Sequence, residues 1–440
     1  MQPSVIDKLR SLVGAPHVLT GVECSPYVLE GRTPDAVVFP GAKDEVAALL
    51  TLAADEGLRV TPWGGGTKMA IGSPPARLGL VLGLRRLNRL LEHEPGDLTA
   101  TVEAGMTFAA LQAELGKHGQ WLSLDPPFGS LATVGGILAA NASGPRRHLY
   151  GTPRDVLIGV AAVSADGSVV RGGGKVVENV AGYDLPKLYI GSFGTLGIIA
   201  EATFKLRPRP DVDRLVMGRF ERLKDAGLAA RAVMGSDLIP SALDLADGEV
   251  LRGLGGGDGA ALLVGIDGIA EHVEWQCAEL ERLLTISGCV DCRLLDGEAR
   301  DEVWRRQGEL GRTIFGEAAG LMKWGVLPAQ VAELMEQGAA VAQRNGLRAG
   351  FAAHAGVGIV SAVLASGNVD TGGIVSTLTE WRGLVNAAGG HALLEWAPPA
   401  VKEQVAVWDA PGPAHRIMKR IKDQLDPRGT LNPGRFVGEI

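Results

Sequence analysis

Residues Trp121–Pro210 read WLSLDPPFGSLATVGGILAANASGPRRHLYGTPRDVLIGVAAVSADGSVVRGGGKVVENVAGYDLPKLYIGSFGTLGIIAEATFKLRPRP. Glycines recur beside Ala, Ser and Asn, between short runs of Val, Ile and Leu. Glycine adopts positive φ and lets a ligand touch the main chain. One or two would mark turns. So many, at strand ends and helix starts, point to a long ligand lying along the backbone, although composition alone also allows a loop-rich glycine scaffold. Thr133–Ala140 is a small-residue helix start, where free N–H groups and the positive helix end favour a phosphate or an electron-rich ring edge. Asn141 and Ser143 add side-chain hydrogen bonds beside it. Asp155–Val163 and Ser168–Arg171 form a hairpin turning at Asp166-Gly167. Ile198–Leu206 is an alternating strand, and Arg207-Pro208-Arg209-Pro210 then breaks the pattern.

Upstream, residues 4–13 make a short amphipathic helix, expected to be an N-terminal addition within 1–30. Asp35–Pro40 and Leu58–Thr61 read as short strands flanking a helix at Lys43–Glu56, with Val46, Leu49, Leu50 and Ala53 at helical spacing. A glycine loop follows: Pro62, Trp63, Gly64, Gly65, Gly66, Thr67, Lys68. Consecutive glycines after a strand let successive N–H groups converge on an anion such as a diphosphate. The loop is not a Walker A motif, because Lys68 is followed by Met69. Nor is it a Rossmann fingerprint, because Met69 stands where the third glycine belongs. A tight structural turn is the other reading. Further on, Gly79–Leu82 and Leu98–Val102 alternate as strands, and Thr107 caps a helix to Lys117.

Beyond Pro210 the texture changes. Strands at Arg214–Phe220, Ala260–Gly265 and Leu321–Val326 alternate with helices at Glu221–Met234, Ile269–Ser287 and Pro328–Asn345. Leu347–His354 and Gly358–Leu364 read as paired strands before a helix around Thr377–Ala388. This rhythm implies an antiparallel sheet with helices on one face over 211–412. Six of the eight tryptophans fall there, mostly as core or interface residues. The last segment, 413–440, is a helix at Ala414–Leu425 and a tail.

With 440 residues, a net charge of −7 and 46% hydrophobic residues, the sequence reads as a globular protein of two or three domains. No basic field argues for nucleic acid. No run of 18 apolar residues and no signal sequence are visible, so a cytoplasmic location is expected, with peripheral membrane attachment through partners left open. Cys289 and Cys292 have C-x-x-C spacing, but Cys24 and Cys277 stand alone. Neither a redox nor a metal role is expected, and two buried or half-buried thiols are the better reading.

Asp125-Pro126-Pro127, Thr133-Val134-Gly135-Gly136, Asn141-Ala142-Ser143-Gly144, Tyr150–Asp155, Asn179–Leu185 and Gly191–Gly197 follow one another in a familiar order. Asp426-Pro427-Arg428-Gly429-Thr430-Leu431-Asn432-Pro433-Gly434 matches the ending D-P-x-G-x-x-N-P-G. In these runs the protein resembles the vanillyl-alcohol oxidase/PCMH flavoprotein superfamily. Gly144-Pro145-Arg146-Arg147 and Phe193 most resemble the small flavin subunit of glycolate oxidase, the GlcE type. The resemblance implies an α+β architecture: a PCMH-type two-lobed FAD-binding domain (31–210), an antiparallel-sheet cap domain, and a tail returning to the FAD domain. It implies FAD held by Pro62–Lys68, Asp125, Pro126, Thr133, Gly135, Gly136, Asn141, Ser143, Gly144, Arg147 and Tyr150, with Ile199 against the cofactor and Asn432 near the flavin ring. Arg146 and Arg147 are read either as holding anionic oxygens or a reduced flavin's charge, or as a solvated pair. Neither the glycine loop nor Asp125–Gly144 contains His or Cys, so the FAD is expected to be non-covalent.

Self-sufficient D-2-hydroxy-acid dehydrogenases of this superfamily carry G-H-x-G-D-G-N-x-H in the cap and E-H-G near the end. The corresponding run here is Ala353–Ser361. His354 is present, but Val357, Ile359 and Ser361 replace the Asp, the Asn and the second His. No E-H-G occurs. Glu178 stands where the superfamily has Lys. His354 is thus the one catalytic candidate. The expected role is an FAD subunit of a glycolate or D-lactate oxidising complex, with a larger flavin subunit and an iron–sulfur subunit as partners. The alternatives are a self-sufficient FAD dehydrogenase and a degenerate scaffold.

Overall fold

The computed structural model describes residues 1–174, 183–315, 318–365 and 370–440. The run Asn179–Gly182 and the neighbouring Glu178 lie outside the described residues. Two compact units are present. Unit 1 comprises Met1–Ser143, Thr152–Arg209 and Ala410–Ile440; unit 2 comprises Gly144–Gly151 and Pro210–Asp409. The octapeptide Gly144–Gly151, read from the sequence as part of the flavin domain, thus belongs with unit 2.

Unit 1 has two lobes. In the first, among the described residues, four strands run in the order β1 (Val18–Thr20), β2 (Ala36–Val38), β4 (Leu80–Gly83), β3 (Val60–Trp63), with β2, β4 and β3 parallel. Buried parallel strands read as unbroken apolar runs, and all of Ala36-Val37-Val38 is buried. The helix Lys43–Asp55 covers them with Val46, Leu49, Leu50 and Ala53. The N-terminal stretch is a correction to the sequence reading: it is built into the lobe, not appended. The helix Pro3–Val13 buries Val5, Leu9 and Val13 in this core, and β1 pairs with β2. An apolar stripe of that size needs a surface to cover.

The second lobe is an antiparallel sheet ordered β5 (Leu90–Glu94), β6 (Thr99–Glu103), β10 (Ile198–Lys205), β8 (Leu157–Val163), β9 (Val169–Gly173), with a two-residue pair β7 (Gln120–Trp121) and β11 (Arg207–Pro208). Helices Phe108–Gly116 and Val134–Ala140 bury Leu111, Leu115, Ile137 and Leu138 against Val102, Ala202 and Phe204. The C-terminal helix His415–Leu425 also packs in unit 1. The tail after it bridges beside β3, where Val60 N donates to Thr430 O at 2.7 Å and Asn432 N to Val60 O at 2.9 Å.

Unit 2 is built on an antiparallel sheet, eight strands among the described residues. They are β12 (Val212–Phe220), β13 (Ala242–Ala246), β14 (Ala260–Gly268), β15 (Asp291–Leu295), β16 (Ala318–Gly325), β17 (Ala349–His354), β18 (Ile359–Ala365) and β19 (His391–Trp396), ordered β15-β12-β14-β13-β17-β18-β16-β19. Side chains alternate between two cores, as a period of two demands. Val216, Leu262, Val264 and Ile266 face the four long helices Leu223–Met234, Ala270–Ile286, Val331–Arg344 and Thr371–Ala387. Leu215, Met217, Ala261 and Leu263 face the shorter helices Gly248–Gly253 and Gly297–Gly308. Trp324, Phe351 and Trp381 pack together at the centre of the larger core, with ring centroids 5.4–5.6 Å apart.

Candidate cofactor site

The β3 strand ends in Trp63, and the glycine loop turns directly onto the start of the helix Val134–Ala140. The approach is so close that side chains have no room. A methyl group on Gly65 would stand 1.8 Å from the Leu131 carbonyl oxygen, and one on Gly64 would stand 2.2 Å from Thr133 Oγ1. Thr133 is the N-cap, its Oγ1 accepting from Gly136 N at 3.3 Å. The loop and the helix start therefore form two walls of one concavity.

The third wall comes from Phe193-Gly194, both at positive φ (50° and 68°). A side chain on Gly194 would meet Pro62 Cγ at 2.4 Å, so the turn closes on the glycine loop. Asn432 supplies the fourth wall. Its Nδ2 donates to Phe193 O at 2.7 Å, and the Phe193 ring lies 5.7 Å from that of Phe436. The tail is held in place from behind. Asp426 accepts from Thr430 N and Leu431 N at 2.8 Å each, and from the Lys422 ammonium at 2.6 Å. Lys422 also donates to Thr195 O and Leu431 O. This explains the spacing D-P-x-G-x-x-N: the carboxylate fixes the turn that delivers Asn432.

Of the residues read from the sequence, Pro62, Trp63, Gly64, Gly65, Gly66, Thr67, Lys68, Thr133, Gly135, Gly136, Ile199 and Asn432 line this single concavity. Asp125, Pro126, Asn141 and Ser143 lie in the same unit outside that lining. Gly144, Arg147 and Tyr150 belong to unit 2. There the Tyr150 hydroxyl donates to Asp267, and the Arg146 guanidinium is shared by Asp213 and Asp267. The reading of Arg146 as a solvated charge is thereby corrected: the side chain is buried and held by two carboxylates. A buried guanidinium and buried carboxylates must neutralise one another, and sequence spacing does not show which strands bring them together. Burial still pushes the Asp213 carboxyl up, against the pull of Arg146 and Arg300.

Sequence reasoning missed Arg435, although it directly follows the N-P-G run. It is almost fully buried in the lining, and its guanidinium donates to Met69 O at 2.6 Å and to Ile71 O. Burial pulls its pKa down to about 10. On the other side of the glycine loop a second hollow is lined by Tyr27, Phe39, Trp63 and Arg85, with the Arg85 guanidinium 3.9 Å above the Phe39 ring.

These surfaces fit an FAD. The loop's open N–H groups suit a diphosphate, and the apolar, glycine-floored concavity accepts a flat ring. Within the lining, Asn432 Oδ1 is a buried acceptor without a hydrogen-bond partner among the described residues. Such an atom implies a ligand or water. Bound there, FAD supplies the acceptor for two electrons.

His354, the catalytic candidate, stands in unit 2 at the end of β17, directly opposite Asp244 of β13. Its Nδ1 lies 2.9 and 3.0 Å from the two carboxylate oxygens of Asp244, which is fully buried and also accepts from Gln307 Nε2. Asp244 is not legible in the sequence, since no motif spans the 110 residues between the two. His148 is close by. Its ring fills the space that a side chain at Gly356 would take, and burial lowers its pKa against the pull of Asp244. In the C-x-x-C run, Cys289 Sγ donates to Asp291 O at 3.0 Å, and burial pushes the Cys292 thiol up to about 12.

The FAD binding domain family matches residues 34–173, and the C-terminal domain of FAD linked oxidases matches residues 209–436. The protein belongs to the FAD-linked oxidases, and it is an FAD-dependent oxidoreductase. Among its relatives, the glycolate oxidase subunit GlcD of Escherichia coli strain K12 is 27% identical over 468 residues, covering 99% of this chain and 91% of that protein. The D-lactate dehydrogenase of Anaerostipes hadrus is 26% identical, covering 99% and 97%. The GlcD of Bacillus subtilis strain 168 is 34% identical over a shorter match, 57% of this chain and 55% of that one. The fold is shared with p-cresol methylhydroxylase at a TM-score of 0.79 and 18% identity, covering 98% of this chain and 96% of that one. Among the described residues no helix is long and apolar enough to cross a membrane.

Proposed function

We propose that this protein is the FAD-binding subunit of a complex that oxidises a small 2-hydroxy acid, glycolate or D-lactate, in the cytoplasm or on the inner face of the membrane. Its partners are a larger FAD-linked subunit and an iron–sulfur subunit that carries the electrons onward. The observation that carries this reading is a contrast between the two units. A continuous concavity runs from Gly64–Gly66 through Thr133 to Asn432, which supports a flavin held there. The cap run around His354, by comparison, has lost the acid, amide and second imidazole of the self-sufficient dehydrogenases. The name of relatives, glycolate oxidase subunit GlcD, supports membership of a multi-subunit complex, and the aromatic Phe193 supports the small-subunit role. The flavin is dissociable: among the described residues no His or Cys lines the concavity.

A second reading, self-sufficient oxidation of an alcohol or hydroxy acid, is favoured by one observation. An imidazole oriented through Nδ1 by a buried carboxylate presents Nε2 as a proton acceptor, and His354 is held so by Asp244. The anaerobic visible spectrum of the purified protein separates the two. A flavin band that stays oxidised with glycolate and D-lactate until the larger subunit is added supports the first reading. A band that bleaches with either acid alone supports the second. Absence of a flavin band after reconstitution with FAD would overturn both.

A further inference from the structure

We propose that β15 is a self-pairing edge through which two copies of this protein join their unit 2 sheets about a two-fold axis. β15 is the terminal strand of that sheet, paired with β12 on one side only among the described residues. A strand edge offers a row of backbone donors and acceptors to another molecule. Soluble proteins blunt such edges with unpaired charge or cover them, and this one carries exposed apolar side chains: Val290 is 47% and Leu294 58% exposed. Beside the strand, a groove lined by Val212, Val216, Cys292 and Leu294, with Arg214, Glu274 and Glu281 also in its walls, opens toward the helix Ala270–Ile286. That helix leaves Trp275 and Ile286 exposed as well.

The occupant follows from the order of the residues. A two-fold contact must be self-complementary, and side-chain alternation allows antiparallel self-pairing only in registers centred on a residue. Centring on Arg293 places arginine opposite arginine, and centring on Asp291 places aspartate opposite aspartate. Centring on Cys292 places Asp291 opposite Arg293 twice and Val290 opposite Leu294 twice. Like charges directly opposite destabilise a strand pair, whereas opposite charges and apolar pairs support it. Asp291 and Arg293 already bond along the strand at 2.8 Å, so the new pairing extends an existing ladder. Of the registers centred on Asp291, Cys292 and Arg293, the one on Cys292 thus satisfies the edge with a second copy. The pairing is independent of the flavin chemistry.

The test is the mass in solution of the full FAD-loaded protein, by light scattering and sedimentation across the micromolar range. The expected mass is twice 45.9 kDa. Asp291→Arg puts four arginines along the seam and is expected to halve the mass. The double variant Asp291→Arg/Arg293→Asp restores complementarity and is expected to restore the dimer, with unchanged melting in all three proteins excluding misfolding. A monomer mass throughout, or a dimer indifferent to Asp291→Arg, would overturn the proposal. So would a monomer whose β15 edge is taken only by a different subunit.

Discussion

The ammonium of Lys422 and the carboxylate of Asp426 meet at 2.6 Å, one helical turn apart and both closed off from solvent. An isolated buried ion pair is seldom a source of net stability. This one is not isolated, because the same carboxylate takes two tail N–H groups and the same ammonium takes two carbonyls. The pair works as a clamp that sets Asn432 into the concavity beside the glycine loop.

Asp426→Asn is therefore expected to cost about 3–5 kcal/mol, the scale for removing one partner of a buried pair. Lys422→Met strands the Asp426 carboxylate in turn and should cost a similar amount. Chemical denaturation measures both, and FAD titration should show weaker retention in Asp426→Asn as the Asn432 turn loosens.

Gly65→Ala should abolish FAD retention. The added methyl meets the Leu131 carbonyl at 1.8 Å, so the loop must lift from the helix start that it rests on. The stability cost should stay at ~1–3 kcal/mol, typical of overpacking. A variant that folds but shows no flavin band is the expected outcome.

Arg146→Ala should destabilise unit 2 by about 3–5 kcal/mol, because it strands the buried Asp267 carboxylate. Tyr150→Phe removes only a neutral donor to the same carboxylate and should cost ~1–3 kcal/mol. Urea unfolding of the two variants checks the order.

Stability should fall as the pH rises through the range from 3.8 to 7 because of Asp247. Burial raises its carboxyl to about 7, outweighing the hydrogen bond from Val250 N. In that window the folded protein holds a proton that the unfolded one has released, so folding is favoured at the lower pH. The contribution is complete below 3.8 and lost above 7. Asp247→Asn keeps a cap acceptor for the helix Gly248–Gly253 and should flatten this part of the profile of unfolding free energy against pH.

Much of this molecule is legible residue by residue. The helix Lys43–Asp55 and the caps Thr107 and Thr133 depend on residues within one or two turns, so spacing alone reveals them. The glycine loop is legible for the same reason: Gly64, Gly65 and Gly66 are adjacent, and their common property is the absence of a side chain. The N-terminal helix reads as an addition because its stripe of Val5, Leu9 and Val13 does not say which surface covers it.

The sequence by itself determined local conformation, the alternation of the strands and the glycine and N-P-G surfaces that line the concavity. Those properties are set by neighbours along the backbone. Only the tertiary structure decided that Asp244 orients His354, that Arg146 is consumed by Asp213 and Asp267, and that Arg435 lines the concavity. Charge neutralisation in a low-dielectric interior acts between whichever side chains the sheet order brings together. That order joins residues far apart in the sequence, where no spacing rule reaches.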